Sequence, residues 1–221
     1  MFRQNFCFLF TFLSYLSIGY SFVLLSTAPR RVVKVLKVSN GAWWGNWGPP
    51  QFCAEGTYAV GYAMKIEGGQ GGGDDTSLNA VSLFCMGLDD VRFGGKITSI
   101  QGIWGHWHSN VSCHKVEGTP TFLTAFDLQV ERDLGGGDDT GANYVKFKCR
   151  DFAAASTPYE LAAPPGHGLY GRTGSWSDTC PQNSAICGLR TRVERPLDHG
   201  DDTALDNVEF YCCEENMEAG K

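Results

Sequence analysis

The chain has 221 residues, with 18 Lys and Arg against 24 Asp and Glu for a formal net charge of −6 at pH 7, and it is rich in Gly (28) and Cys (9). At 43% hydrophobic residues it can bury a core, which excludes a disordered polypeptide. Its basic cluster of Arg30, Arg31, Lys34 and Lys37 is too small to mark a nucleic-acid partner.

At the amino terminus Arg3 precedes an apolar run from Phe6 to Leu25 that ends at the small residues Ser26-Thr27-Ala28. Residues 1–28 therefore read as a secretory signal peptide. A signal anchor competes, because the run is about long enough to cross a bilayer, but Thr11, Ser14, Ser17 and Ser21 interrupt it. Residues 29–221 are then one extracellular domain with no further membrane span. Removing Cys7 with the leader leaves eight cysteines, an even number that points to four disulfides in an oxidising compartment.

The rest of the chain says one thing three times. Gly72-Gly73-Asp74-Asp75-Thr76 recurs as Gly136-Gly137-Asp138-Asp139-Thr140 and as His199-Gly200-Asp201-Asp202-Thr203, at intervals of 64 and 63 residues. Such a period means one structural unit used three times, over about 32–95, 96–163 and 164–221. Each unit opens on a Gly-x-Trp: Gly45-Asn46-Trp47, Gly105-His106-Trp107 and Gly174-Ser175-Trp176. An early cysteine follows (Cys53, Cys113, Cys180), and then an alternating run. In unit one Tyr58, Val60, Tyr62, Met64 and Ile66 alternate with smaller or polar residues, the two-residue period of a half-buried strand. Phe122, Thr124, Phe126, Leu128 and Val130 repeat it, as do Cys187, Leu189, Thr191 and Val193.

Each run ends on a glutamate (Glu67, Glu131, Glu194) seven residues before the Asp-Asp pair. Beyond the loop a second alternation ends at a late cysteine: Val81, Leu83, Cys85; Val145, Phe147, Cys149; Val208, Phe210, Cys212. The Gly, Asp and Thr between the two strands suit positive φ and side-chain capping, so a hairpin is the simplest connection. The fold class is all-β, and three sheets, each from one repeat, packed about a common axis make a β-prism with a pseudo-threefold internal repeat. Equivalent positions pair Cys53 with Cys85, Cys113 with Cys149 and Cys180 with Cys212. Cys187 and Cys213 remain as an extra pair, although adjacent Cys212 and Cys213 could exchange partners. No C-x-x-C pair occurs, so neither zinc nor any other metal or cofactor is expected.

The Gly-x-Trp openings, the Gly-Gly-Asp-Asp-Thr loops followed by Leu78-Asn79 or Ala142-Asn143, and the cysteine positions resemble the vitelline membrane outer layer protein family. The resemblance covers about residues 30–215. It implies a secreted β-prism of three Greek-key sheets, found in egg coats and other extracellular fluids, with links to carbohydrate that include transfer between N-acetylglucosamine oligomers. This chain departs from the pattern at Leu197-Asp198-His199 in the third loop and in its Ala/Pro-rich segment from Ala153 to Pro165.

Two functions compete on these residues. The first is a structural or binding component of an egg coat, mucus or similar matrix, whose partners are extracellular glycans or glycoproteins. Its contact candidates are Asp74, Asp138 and Asp201, Glu67, Glu131 and Glu194, and Trp43, which has no counterpart in the other units. The second is glycosyl transfer between N-acetylglucosamine oligomers, with Asp74, Asp75, Asp138, Asp139, Asp201 and Asp202 as the catalytic candidates, since such chemistry needs one carboxylic acid held protonated beside another carboxylate. The plainer reading is that each Asp accepts hydrogen bonds from its own turn, and threefold repetition favours it, because an asymmetric reaction has no use for three identical sites. Trp47, Trp107 and Trp176 are expected to be packing residues, and His106, His108 and His114 solvated loop residues. Asn110-Val111-Ser112 is a glycosylation sequon.

Overall fold

The computed structural model describes residues 30–71, 75–132, 135, 139–196 and 202–215. The expected leader, with Asp74, Asp138 and Asp201, lies outside the described residues.

Among the described residues fourteen strands form three antiparallel sheets. Sheet one holds β4 (Thr57–Ile66), β5 (Leu78–Gly87) and β6 (Phe93–Ile97), with β7 (His106–Trp107) and β8 (Val111–Ser112) along the free edge of β4. Sheet two repeats this with β9 (Thr121–Val130), β10 (Ala142–Asp151), β11 (Tyr159–Leu161) and β12 (Arg172–Thr173). Sheet three is built from both ends of the chain: β13 (Ser184–Val193) and β14 (Leu205–Glu214) pair with β1 (Val32–Leu36), β2 (Asn46–Trp47) and β3 (Gln51–Phe52). In sheets one and two, three consecutive strands are followed by a fourth that returns beside the first, which is a Greek key. The molecule is a β-prism.

The sheets do not coincide with the sequence repeats. Each sheet takes the short strands beside its first long strand from the next repeat, and sheet three closes the ring with the first. The third opening also shifts. Asn46 faces Val193, His106 faces Ile66 and Arg172 faces Val130, so the structural counterpart of Gly45 and Gly105 is Gly171 rather than Gly174. All three glycines have positive φ (+66°, +71° and +72°), and a Cβ on any of them would lie 2.3 to 2.4 Å from backbone atoms of the neighbouring strand. Trp176 therefore stands outside the repeat position. Trp47, Trp107 and Trp176 are not core residues; they lie beneath Arg190, Lys96 and Lys148 at 4.6, 4.5 and 4.4 Å.

Two β-bulges in every hairpin correct the simple alternation. Val60, Thr124 and Cys187 are skipped in the pairing at one end, and Asn79, Asn143 and Asp206 at the loop end. A bulge moves every residue beyond it to the other face. Between the bulges the inner positions of the three hairpins meet on the axis as one layer of Tyr62, Leu83, Phe126, Phe147, Leu189 and Phe210, all fully buried. Phe147 lies 4.7 Å from Tyr62 and 5.1 Å from Phe210. Beyond the first bulge a smaller cluster of Tyr58, Phe122, Ala185, Cys187 and Cys213 closes the far end. The disulfides are Cys53–Cys85, Cys113–Cys149, Cys180–Cys212 and Cys187–Cys213, so Cys212 and Cys213 do not exchange. The Ala/Pro-rich segment is held by two buried tyrosines: Tyr144 donates its hydroxyl hydrogen bond to the Ala163 carbonyl, and the Tyr62 hydroxyl accepts from the Ala163 N–H.

The close approach at the glycine trio has a measurable cost. Gly105→Ala is expected to lower stability by more than about 1 kcal/mol in a denaturant titration, whereas Gly68→Ala, which meets no atom within 4 Å, should be silent. Equal midpoints for the two variants would contradict the packing described.

Candidate functional site

At the loop end each hairpin is fastened by a hydrogen-bonded clasp. Thr76 Oγ1 donates to Glu67 Oε2 at 2.6 Å, Thr140 Oγ1 to Glu131 Oε2 at 2.7 Å, and Thr203 Oγ1 to Glu194 Oε2 at 2.8 Å. The bulge residue completes it in two of the three sheets. Asn79 Nδ2 donates to Thr76 Oγ1 and to the Ser77 carbonyl, and Asn143 Nδ2 to Thr140 Oγ1 and to the Gly141 carbonyl. Their Oδ1 atoms accept the N–H of Trp104 and of Tyr170, which belong to the loops arriving from the next repeat. The intervening Ser77, Gly141 and Ala204 all have φ between 50° and 57°. The repeated glutamates thus fasten their own hairpins. Asp75 accepts from Gln70 N of its own loop at 2.5 Å and from the hydroxyl of Tyr170, on a loop arriving from another repeat, at 2.7 Å. Asp139 is buried.

The arriving loops make the concave surfaces. Residues 39–44 lie against Val130, Glu131, Arg132 and residues 171–174 of sheet two, leaving a groove of about 770 Å³. Residues 99–103 lie in the same way against sheet three, where Glu194 and Arg195 line a groove of about 1030 Å³. In the third position the loop reaches sheet one, and Tyr170 spans the gap to Asp75. Trp43, Ile103 and Leu169 occupy matching places at the tips of these loops and are 65%, 61% and 59% exposed. Trp43 therefore has structural counterparts, though neither is aromatic. Its ring stacks on Trp44 with centroids 5.6 Å apart, so a flat aromatic face stands in a groove that also holds Glu131, Arg132 and Arg172. His106 and His108 flank Trp107, while His114 stacks on Tyr159 at 4.0 Å.

The vitelline membrane outer layer protein I family model matches residues 34–215. The chain belongs to that family. It is 37% identical over 197 residues to the vitelline membrane outer layer protein 1 homolog of Mus musculus, covering 88% of this chain and 90% of that protein. The human homolog is 38% identical over 181 residues, 81% of this chain and 82% of that protein. Among solved structures the chain is similar to Calystegia sepium agglutinin (TM-score 0.47, 14% identity, 82% of this chain and 97% of that one). It is also similar to a mannose-specific jacalin-related lectin from Morus nigra (TM-score 0.44, 14% identity, 85% and 97%).

Asp206 breaks the threefold pattern of this family member. It occupies the bulge position of Asn79 and Asn143, fully buried, and neither carboxyl oxygen has a hydrogen-bond partner among the described residues. Its signal in the sequence is an Asp three residues after Thr203, where the other units have Asn, and the more prominent Asp-Asp pairs overshadow it. Burial pushes its carboxyl up to about 7, with the Glu194 charge adding to the rise and Thr203 and Arg192 opposing it. A neutral carboxyl can donate one hydrogen bond, as the Asn amide does in the other clasps; a carboxylate cannot.

A carboxyl that holds its proton more tightly folded than unfolded makes the fold lose stability as pH rises. Here the loss runs from about the ordinary aspartate value of 3.8 up to about 7 and is constant above. Asp206→Asn is therefore expected to melt like the parent near pH 4 and to be more stable at pH 8, on the order of a few kcal/mol. Parallel melting curves for the two proteins across that range would contradict the assignment.

Proposed function

We propose that the chain is a secreted component of an egg coat, mucus or similar extracellular matrix and binds glycans or glycoproteins at the groove beside Trp43. The observation that carries this reading is the Trp43–Trp44 stack set among Glu131, Arg132 and Arg172. A sugar ring presents C–H bonds on one face and hydroxyls around its rim. An exposed indole suits the first, and a carboxylate with two guanidinium groups supplies acceptors and donors for the second. Four disulfides fit an oxidising compartment, and the apolar leader would deliver the chain there. No helix among the described residues is long and apolar enough to cross a membrane. The family and the names of its mouse and human relatives support an egg coat or a comparable surface layer as that matrix.

Glycosyl transfer draws no support from the described carboxylates. Glu67, Glu131 and Glu194 each accept from a threonine of their own hairpin, and Asp206, the one whose proton is held near neutrality, is enclosed.

Calorimetric titration of the mature protein with an N-acetylglucosamine hexamer, with mass spectrometry of the sugar afterwards, tests the proposal. Binding with unchanged chain lengths is expected, weakened about tenfold or more by Trp43→Ala, which corresponds to roughly 1.4 kcal/mol. New chain lengths would make the protein an enzyme. Affinity indifferent to Trp43, or no binding to the hexamer or to an array of extracellular glycans, would overturn the groove assignment.

A further inference from the structure

The outer face of sheet one differs from the other two. In sheet two the outward residues of β10 include Lys146 and Lys148, which lie over Trp176. In sheet three Tyr211 is covered by Phe52, whose ring centroid is 5.2 Å away. At the position of Lys148 and Tyr211 sheet one has Phe84, one face of which lies 5.4 Å from Lys96 Nζ, and Met86, bulge residue Val60 and Phe93 of β6 continue the apolar strip beside it. Phe93 is 67% exposed, and neighbouring Val91 is 80% exposed. Val60, Phe84, Met86 and Phe93 line a groove of about 370 Å³ that continues to Asn110 and Ser112, with the Asp90–Lys115 ion pair at its rim (2.8 Å). Asn110 is exposed and directly precedes β8, where Ser112 pairs with Gly61.

We infer that Asn110 carries an N-linked glycan whose core sugars lie along the Val60, Phe84, Met86 and Phe93 strip and cover it. The acceptor Asn-Val-Ser sequon stands at the rim of the groove, so the attached sugar starts within reach of the strip. The apolar faces of the sugar rings fit Phe84 and Phe93, and the Asp90–Lys115 pair can hydrogen-bond their hydroxyls. An uncovered apolar strip invites association in an extracellular fluid, and a tethered glycan removes that hazard without a second protein. The inference rests on the secretion proposed above and not on the Trp43 groove.

The test expresses the full chain in mammalian cells and weighs the protein from medium and from cells before and after peptide-N-glycosidase in heavy-oxygen water, which marks a formerly glycosylated Asn110 as labelled Asp. Asn110→Gln and Ser112→Ala, changed independently, should both abolish the modification. Hydrogen exchange over residues 84–96 should be several-fold slower in the glycosylated protein than in either variant or in enzymatically trimmed protein, and binding of a hydrophobic dye should be lower. Secreted protein with bare Asn110 would overturn the inference and leave the secretion reading standing. Glycosylated protein whose exchange and dye binding match the trimmed form would overturn the covering of the strip. A chain retained in the cytoplasm and unmodified would overturn both readings.

Discussion

The loop end of the prism depends on a threonine bonded to a glutamate of the facing strand, made three times, and on an inward-turned bulge residue three positions after the threonine that joins the arrangement in two of the three sheets. The bulge removes a residue from the ladder and aims its side chain at the axis. In two sheets that side chain also holds the loop arriving from the next repeat, Trp104 N bonding to Asn79 Oδ1 and Tyr170 N to Asn143 Oδ1, whereas in the third the Ala42 N–H bonds to the Asp206 backbone carbonyl. Each arriving loop then reaches a second sheet: 39–44 lies on sheet two, 99–103 on sheet three, and Tyr170 bonds to Asp75 in the hairpin loop of sheet one. The three sheets are locked as a ring, and the grooves are the gaps that the lock leaves.

Symmetry and its failures divide the labour. The aromatic layer from Tyr62 to Phe210 and the Glu-Thr clasps are common to all three sheets, as a scaffold requires. What differs is what sits on the scaffold. Tyr170 spans one gap to Asp75, Ile103 borders the second, and Trp43 offers an aromatic face to the third. The Trp43 loop is also the one that rests on Asp206. Its carboxyl oxygens receive no bond from the loop, whereas Asn79 and Asn143 both do.

Much of the scaffold was legible in the sequence because it repeats. The 64- and 63-residue intervals located the hairpins, and equivalent cysteines located their partners. The bulges were not legible. Val60 is apolar and falls in phase with Tyr62, so the alternation reads straight through a position that the ladder skips. The third opening was misplaced because Trp176 is a more visible landmark than Thr173, while the Ala/Pro-rich segment had shifted the spacing. The grooves lay further out of reach. Each joins two chain segments from different repeats, and the shared feature at their tips is exposure of an apolar side chain, which Trp43, Ile103 and Leu169 express with three different residues. The acidic residues were noticed for the right reason, their regular recurrence, but in Glu67, Glu131 and Glu194 recurrence marks a fastening.

The proposed recognition of glycans lies where the 39–44 loop meets the edge of sheet two. Hydrogen–deuterium exchange of the mature protein, with and without excess N-acetylglucosamine hexamer, tests it most directly. Slower exchange confined to residues 39–44 and 171–174 is the predicted result. Protection at the far end of the prism, or an unchanged exchange pattern throughout, would contradict the account.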